Sequence, residues 1–232
     1  MKKREANFYL IGDIHGQLSK LKNLISKIQS DIEAGDLIIF LGDYIDRGPK
    51  SFEVIEFLLK LKSEHNIVFL IGNHEDMFLR FVSRGDNYNN FMANGGEYTL
   101  KSYFKNLKEF KIPETHKRFY NSLKLYYESD LFIAVHAGIN PKVKNITNQR
   151  RDDIIWIREN FYEYDKRWDK TIVFGHTPTM YINASKDVNK NITKGVYIDD
   201  KRNIIGIDTN AMSEGFPLSC IRLPDRKIYQ AY

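Results

Sequence analysis

The hydrophobic positions of this chain alternate between two rhythms. Short apolar runs of four or five residues end at glycine, and between them apolar residues recur at helical spacing. Residues 8–11 form such a run, closing at Gly12, and from Leu18 onward Leu21, Leu24, Ile25 and Ile28 lie three or four apart. This order predicts a strand, a loop and a helix. Residues 37–41 repeat the run into Gly42, and the helix that follows carries Phe52, Val54, Ile55, Leu58 and Leu61. Residues 67–71 open a third copy, whose next helical pattern starts after Asn73. Continuous apolar strands between helices are the mark of a parallel sheet covered on both faces, in which loops at the strand carboxyl ends carry the ligands.

From 88 to 126 the glycine-terminated runs disappear, and Tyr, Phe, Leu and Lys recur with helical period, which predicts a helical insertion or cap. Strand patterns resume at 131–135 and 171–174, separated by a helix around 152–161. Four β-rich runs follow at 196–198, 204–207, 218–223 and 227–232, divided by Asp-Asp, Asn-Ala and Pro-Asp turns. The order fits an α/β sandwich of two central sheets flanked by helices, the second largely antiparallel. One domain over residues 1–232, with the cap at about 88–126, is expected.

With 232 residues, 42% of them hydrophobic, the chain can bury a substantial core. Its longest apolar stretches fall far short of the roughly 20 residues that cross a bilayer. The basic opening MKKREANFYLIG runs straight into Asp13 and His15 without a cleavage signal, so neither a membrane anchor nor a signal peptide is expected. The single cysteine, Cys220, lies in the apolar run LSCIRL and reads as a buried strand thiol of a reducing compartment, which favours the cytoplasm. A net charge of +5 and a pI near 9.0 suit anionic substrates. The Lys and Arg residues are scattered among 30 acidic ones, and the stretch 101–111 reads as a solvated helix face, so no nucleic-acid partner is expected.

Chemistry enters at five segments: GDIHG (12–16), GDYIDRG (42–48), GNHE (72–75), HAG (136–138) and GHTP (175–178). Each sets Asp, Asn or His beside glycine at the end of an apolar run. Carboxylate and amide oxygens and imidazole nitrogens are the ligands of divalent cations, and two such ions roughly 3.5–4 Å apart clamp both oxygens of an in-line phosphoryl displacement. Asp13 and His15, one residue apart on an extended backbone, point to the same side and can reach one metal. Asp43 can give one oxygen to each of two ions, while Asn73, His136 and His176 follow later strands as further ligands. His74, expected on the other side of the backbone from Asn73, is free to protonate a leaving alkoxide, with Asp46 as its orienting partner. Arg47 offers a planar fork matched to phosphate oxygens.

The set GDIHG, GDYIDRGPKS, GNHE, HAG and FGHTP resembles the signature of the metal-dependent phosphoprotein phosphatases, within the calcineurin-like metallophosphoesterases, and in its compact length the bacterial and bacteriophage lambda branch. The resemblance spans residues 12 to about 208. It implies a first metal held by Asp13, His15 and Asp43 and a second held by Asp43, Asn73, His136 and His176. The metals would be Mn²⁺ first, with Fe or Zn as alternatives. It further implies attack on phosphorus by a metal-bridging hydroxide, with His74 as the acid, Asp46 as its assistant, and Arg47 and Arg158 gripping the phosphate. The implied activity is hydrolysis of phosphoserine and phosphothreonine, extending in permissive bacterial relatives to phosphotyrosine, with a phosphoprotein or phosphopeptide as substrate. The alternative is a symmetrical diadenosine tetraphosphate hydrolase, a family that typically has GNHD and lacks the second Asp, where this chain has Glu75 and Asp46. A catalytically dead binding module is disfavoured, since it requires missing ligands.

Overall fold

The three glycine-terminated runs of the N-terminal half become β1 (Phe8–Ile11), β2 (Leu37–Phe40) and β3 (Ile67–Phe69), which lie parallel to one another in the computed structural model. The structure describes residues 6–182, 192–193 and 195–232. The intervening helices are α1 (Leu18–Gln29), α2 (Ser51–Glu64) and α3 (Asn73–Arg84). On α1 the buried positions are Leu21, Leu24, Ile25 and Ile28, the stripe expected from the sequence. Residues 88–126 carry α4 (Tyr88–Ala93), α5 (Gly96–Leu107) and α6 (Glu114–Asn121) before the chain enters β4 (Tyr126–Glu128).

The second half supplies β5 (Phe132–Val135), α7 (Arg151–Trp156), α8 (Glu159–Tyr162), β6 (Thr171–Phe174), α9 (Thr179–Ile182), β7 (Ile192–Thr193), β8 (Val196–Asp199), β9 (Ile204–Gly206), β10 (Leu218–Leu223) and β11 (Lys227–Ala231). Two mixed sheets result, in the orders β11-β10-β1-β2-β3 and β4-β5-β6-β9-β8-β7. The second sheet is less antiparallel than its sequence suggests, because β6 pairs in parallel with both β5 and β9. The last two strands join the first sheet, where Cys220 of β10 lies opposite Ile11 of β1 and is fully buried.

The apolar runs are continuous because both of their faces are covered. Leu10, Ile39, Phe132, Ala134, Val173 and Ile205 meet between the sheets, whereas Tyr9, Ile11, Ile38 and Phe40 face the helices over the first sheet. Each buried Leu, Ile, Val or Phe among them stabilises the fold by about 1.5–3 kcal/mol relative to exposure. Ile154, Ile155 and Phe161 of α7 and α8 cover the outer face of the second sheet. Among the described residues no helix is long and apolar enough to cross a membrane.

This packing places the ends of β1, β2, β3, β5, β6 and β9 along one edge, followed by Asp13, Asp43, Asn73, His136, His176 and Asp208. The amides of Ile14 and His15 both donate to Asp43 O at 2.9 Å, and Gly175 N donates to His136 O at 2.7 Å. The two sheets meet where the His176 amide donates to the Asp13 carboxylate at 3.1 Å.

Candidate active site

The loops that leave these strands are tight and strained. His15, Asp43, Asp46, Arg47 and His176 all have φ between 46° and 68°, the left-handed region that side-chain-bearing residues seldom adopt. They are half of the ten such non-glycine residues described, so the strain is concentrated on the expected site. Glycine is needed beside them for space: a Cβ on Gly72 would collide with the Asp43 carboxylate, and one on Gly175 with that of Asp13.

Two groups of ligand-type side chains share Asp43. His15, Asp43 and His74 form one, and Asp43, His136 and His176 the other, with the ligand atoms of each group within 4.8 Å of one another. The two carboxylate oxygens divide between them, since Asp43 Oδ2 lies 3.5 Å from His15 Nε2 and Oδ1 lies 3.4 Å from His136 Nε2. Asn73 completes the second group: its Oδ1 is 2.9 Å from both His136 Nε2 and His176 Nδ1. Asp13 stands beside the first group with its carboxylate turned to the His176 amide. The expectation that Asp13 and His15 share an extended backbone is corrected here, because His15 turns into the left-handed region at φ 46°.

Tautomers follow from partners. His15 Nδ1 donates to Ile45 O and His136 Nδ1 donates to Leu41 O, so each ring turns an Nε2 lone pair inward. That lone pair of His136 faces the inward amide oxygen of Asn73 at hydrogen-bond distance, an arrangement of two acceptors that a cation would relieve. Burial lowers the pKa of His15, His136 and His176 and so favours the neutral, ligating form. Burial also raises the pKa of Asp13, reinforced by the Asp208 and Asp43 carboxylates. The Nε2 atoms of His74 and His176 are buried without a hydrogen-bond partner. Crowded carboxylates, inward lone pairs and orphaned imidazole nitrogens fit divalent cations.

His74 does not point away from Asn73 as expected. Both residues begin α3, so their side chains splay by a helical step rather than to opposite faces of a strand, and both reach the centre. His74 Nδ1 lies 2.7 Å from Asp46 Oδ2, and its Nε2 lies 3.8 Å from Asp43 Oδ2. The arginines flank opposite ends of the site. Arg47 Nη1 donates to His15 Nε2 at 3.0 Å, and Arg158 Nη1 donates to Thr177 Oγ1 at 2.9 Å and to His176 O at 3.3 Å.

Several supporting residues escape sequence reasoning. Thr99 Oγ1 donates to Asp46 Oδ1 at 2.6 Å and accepts from Asp46 N at 2.9 Å, and Gly95 O accepts from Arg47 N, which gives the segment 94–103 a physical role. Glu75 accepts amide hydrogens from Asp43, Tyr44 and Gly72 at 2.8–3.0 Å and so fixes the loop that carries Asp43. Burial and the neighbouring Asp43 push its carboxyl up to about 8. Asp208, buried at the end of the β9 run, is pushed up to about 6, first by burial and then by Asp43. Its signal was an apolar run followed by Gly and then Asp within two residues, close to the pattern at Asp13 and Asp43.

A two-sheet sandwich with ligand-type side chains gathered at the strand ends defines a metal-dependent hydrolase of phosphoesters. The chain belongs to the family described as Calcineurin-like phosphoesterase, whose model matches residues 6–200. That family uses a dinuclear divalent metal centre, and the two residue groups around Asp43 are its candidates here. One relative, "Bis(5'-nucleosyl)-tetraphosphatase PrpE [asymmetrical]" of Bacillus velezensis, is 30% identical over 213 residues, covering 79% of this chain and 81% of its own length. Another, "Bis(5'-nucleosyl)-tetraphosphatase, symmetrical" of Wigglesworthia glossinidia brevipalpis, is 31% identical over 68% of this chain and 55% of its own. A solved structure titled as a putative diadenosine tetraphosphatase superposes with a TM-score of 0.70 at 20% identity, covering 100% of this chain and 95% of that one. The superfamily expected from the sequence is thus established. These two relatives carry tetraphosphatase names rather than that of the lambda phosphatase branch.

Proposed function

We propose that this phosphoesterase hydrolyses dinucleoside tetraphosphates. The observation that carries the reading is the naming of curated relatives that match over about three quarters of the chain. On this reading Asp13, His15 and Asp43 hold one cation, and Asp43, Asn73, His136 and His176 hold the other. The oxygen and nitrogen donors suit Mn²⁺, Fe or Zn. When bound, the cations supply Lewis-acid charge and lower the pKa of water.

The chain's own residues grip the phosphate and manage the proton. Arg47 and Arg158, at opposite ends of the site, bring donors to the phosphate oxygens. Asp46 accepts from His74 Nδ1 and leaves Nε2 directed into the site, where it is placed to give a proton to a departing oxygen that needs one.

Hydrolysis of phosphoserine and phosphothreonine is the second reading, and the His74–Asp46 pair favours it. An alkoxide leaving group needs a proton, whereas the leaving group of a phosphoanhydride is already a stable anion. The deciding experiment compares kcat/KM on diadenosine tetraphosphate and on a phosphoserine peptide with Mn²⁺ present, and identifies the nucleotide products. A dinucleotide value at least tenfold the higher, with ATP plus AMP or two ADP formed, supports the first reading. A higher value on the phosphopeptide replaces it with the second.

A further inference from the structure

Beside the carboxylate and imidazole cluster the surface changes character. Met180, Met212 and Phe216 are 43%, 41% and 37% exposed, each a large apolar side chain at the rim of a polar site. Met180 lies on α9, four residues after His176, and the other two lie on the loop 207–217 that carries Asp208. Thr179 N donates to Asp208 O at 2.9 Å and ties the two segments together. A cavity of about 90 Å³ opens between them, lined by Met180, Asn210, Phe216 and Pro217.

The loop is braced. The Lys20 ammonium on α1 donates to the carbonyls of Ala211, Ser213 and Phe216 at 2.9, 3.0 and 2.6 Å, and Thr209 Oγ1 donates to Pro217 O at 2.6 Å. A braced loop that holds apolar groups toward solvent marks a binding surface. The surface is also continuous with the site, because Met212 Sδ lies 3.5 Å from Arg47 Nη1, itself 3.0 Å from His15 Nε2.

We propose that Met180, Asn210, Met212 and Phe216 seat a nucleobase whose phosphate chain runs across Arg47 into the carboxylate and imidazole cluster. This rests on the nucleotide reading above. A phenyl ring offers a flat face and two thioethers offer soft, polarisable contacts for the face of a heteroaromatic ring, and the Asn210 amide can both donate to and accept from a base edge. The same guanidinium that touches Met212 is placed to hold the phosphate nearest the ribose.

The test uses p-nitrophenyl phosphate as reporter and compares competitive inhibition by ADP and by pyrophosphate with Mn²⁺ in fixed excess. The two inhibitors share a diphosphate and differ by adenosine. ADP should bind at least about tenfold more tightly, and the gap should close in the Met180→Ala/Phe216→Ala double variant and persist in Phe216→Tyr. Both replaced side chains are partly exposed, and thermal unfolding of the double variant checks that it is folded. Equal inhibition by the two compounds, or a gap that survives the double variant, overturns the seat. Neither readout needs turnover of a dinucleotide, so failure of the seat and failure of the tetraphosphatase reading are seen separately.

Discussion

Asp46 Oδ2 lies 2.7 Å from Nδ1 of His74, with both side chains fully excluded from solvent. The carboxylate fixes the ring by its outer nitrogen and presents the inner one to the site. His74→Asn should lower kcat by roughly 10²–10⁴-fold on alkyl phosphates and less on p-nitrophenyl phosphate, whose leaving group needs little protonation. Metal content should be unchanged. Equal losses on both substrates would overturn the role of His74 as the acid, and loss of bound metal would make it a ligand of the group it forms with His15 and Asp43.

Thr99 is the partner that keeps Asp46 in place. Thr99→Val removes the hydroxyl that donates to Asp46 Oδ1, leaving that buried oxygen without its donor at a cost of about 1–3 kcal/mol, while Ser51 Oγ still accepts from the Asp46 amide. Thermal unfolding should show a lowered Tm and kinetics a lowered kcat, and Thr99→Ser should restore both. A Val variant with the stability and kcat of the parent would remove Thr99 from the account.

Arg47 and Arg158 make separable contacts. Replacing either with Ala removes a charged donor worth about 1.5–3 kcal/mol, so kcat/KM should fall at least about tenfold while metal content stays constant. Elemental analysis alongside the kinetics decides whether either residue acts through the metals instead.

Far from the site, Asp31 accepts from Lys227 Nζ at 2.6 Å and from the Tyr229 hydroxyl at 2.5 Å, joining the end of α1 to β11. These partners hold its pKa at about 2, against 3.8 for an ordinary aspartate. Because the folded value is the lower one, the stabilisation is present above about 3.8 and fades as pH falls toward 2. The Tm gap between the parent and Asp31→Asn should therefore narrow as pH drops below about 4. A gap that is constant from pH 6 to 3 would show that the charge contributes nothing.

The strands, the helices between them and the positions of the six candidate ligands at the strand ends are legible because each depends on local pattern: an apolar run, a glycine, then Asp, Asn or His. What escapes the sequence is nonlocal. The pairing of β10 with β1 joins residues about 210 apart, and no periodicity records it. Thr99 and Glu75 matter through contacts with a loop more than 30 residues distant, and the left-handed backbone of Asp43, Asp46 and Arg47 carries no residue-type signal, since glycine is absent there. Asp208 had a readable signal, an apolar run followed by Gly and then Asp within two residues, but none of the five named segments includes it.

The central claim is that Asp43 would be shared by two cations, one held on the His15 side and the other on the His136 side. Mn²⁺ titration followed by electron paramagnetic resonance tests it most directly. The parent should bind two Mn²⁺ per chain with a spin-coupled signal, and activity should rise as the pair forms; Asp43→Asn should abolish the coupling, whereas His15→Asn should weaken one site and leave the other. Two coupled ions retained in Asp43→Asn, or a parent fully active with one uncoupled ion, would contradict the claim.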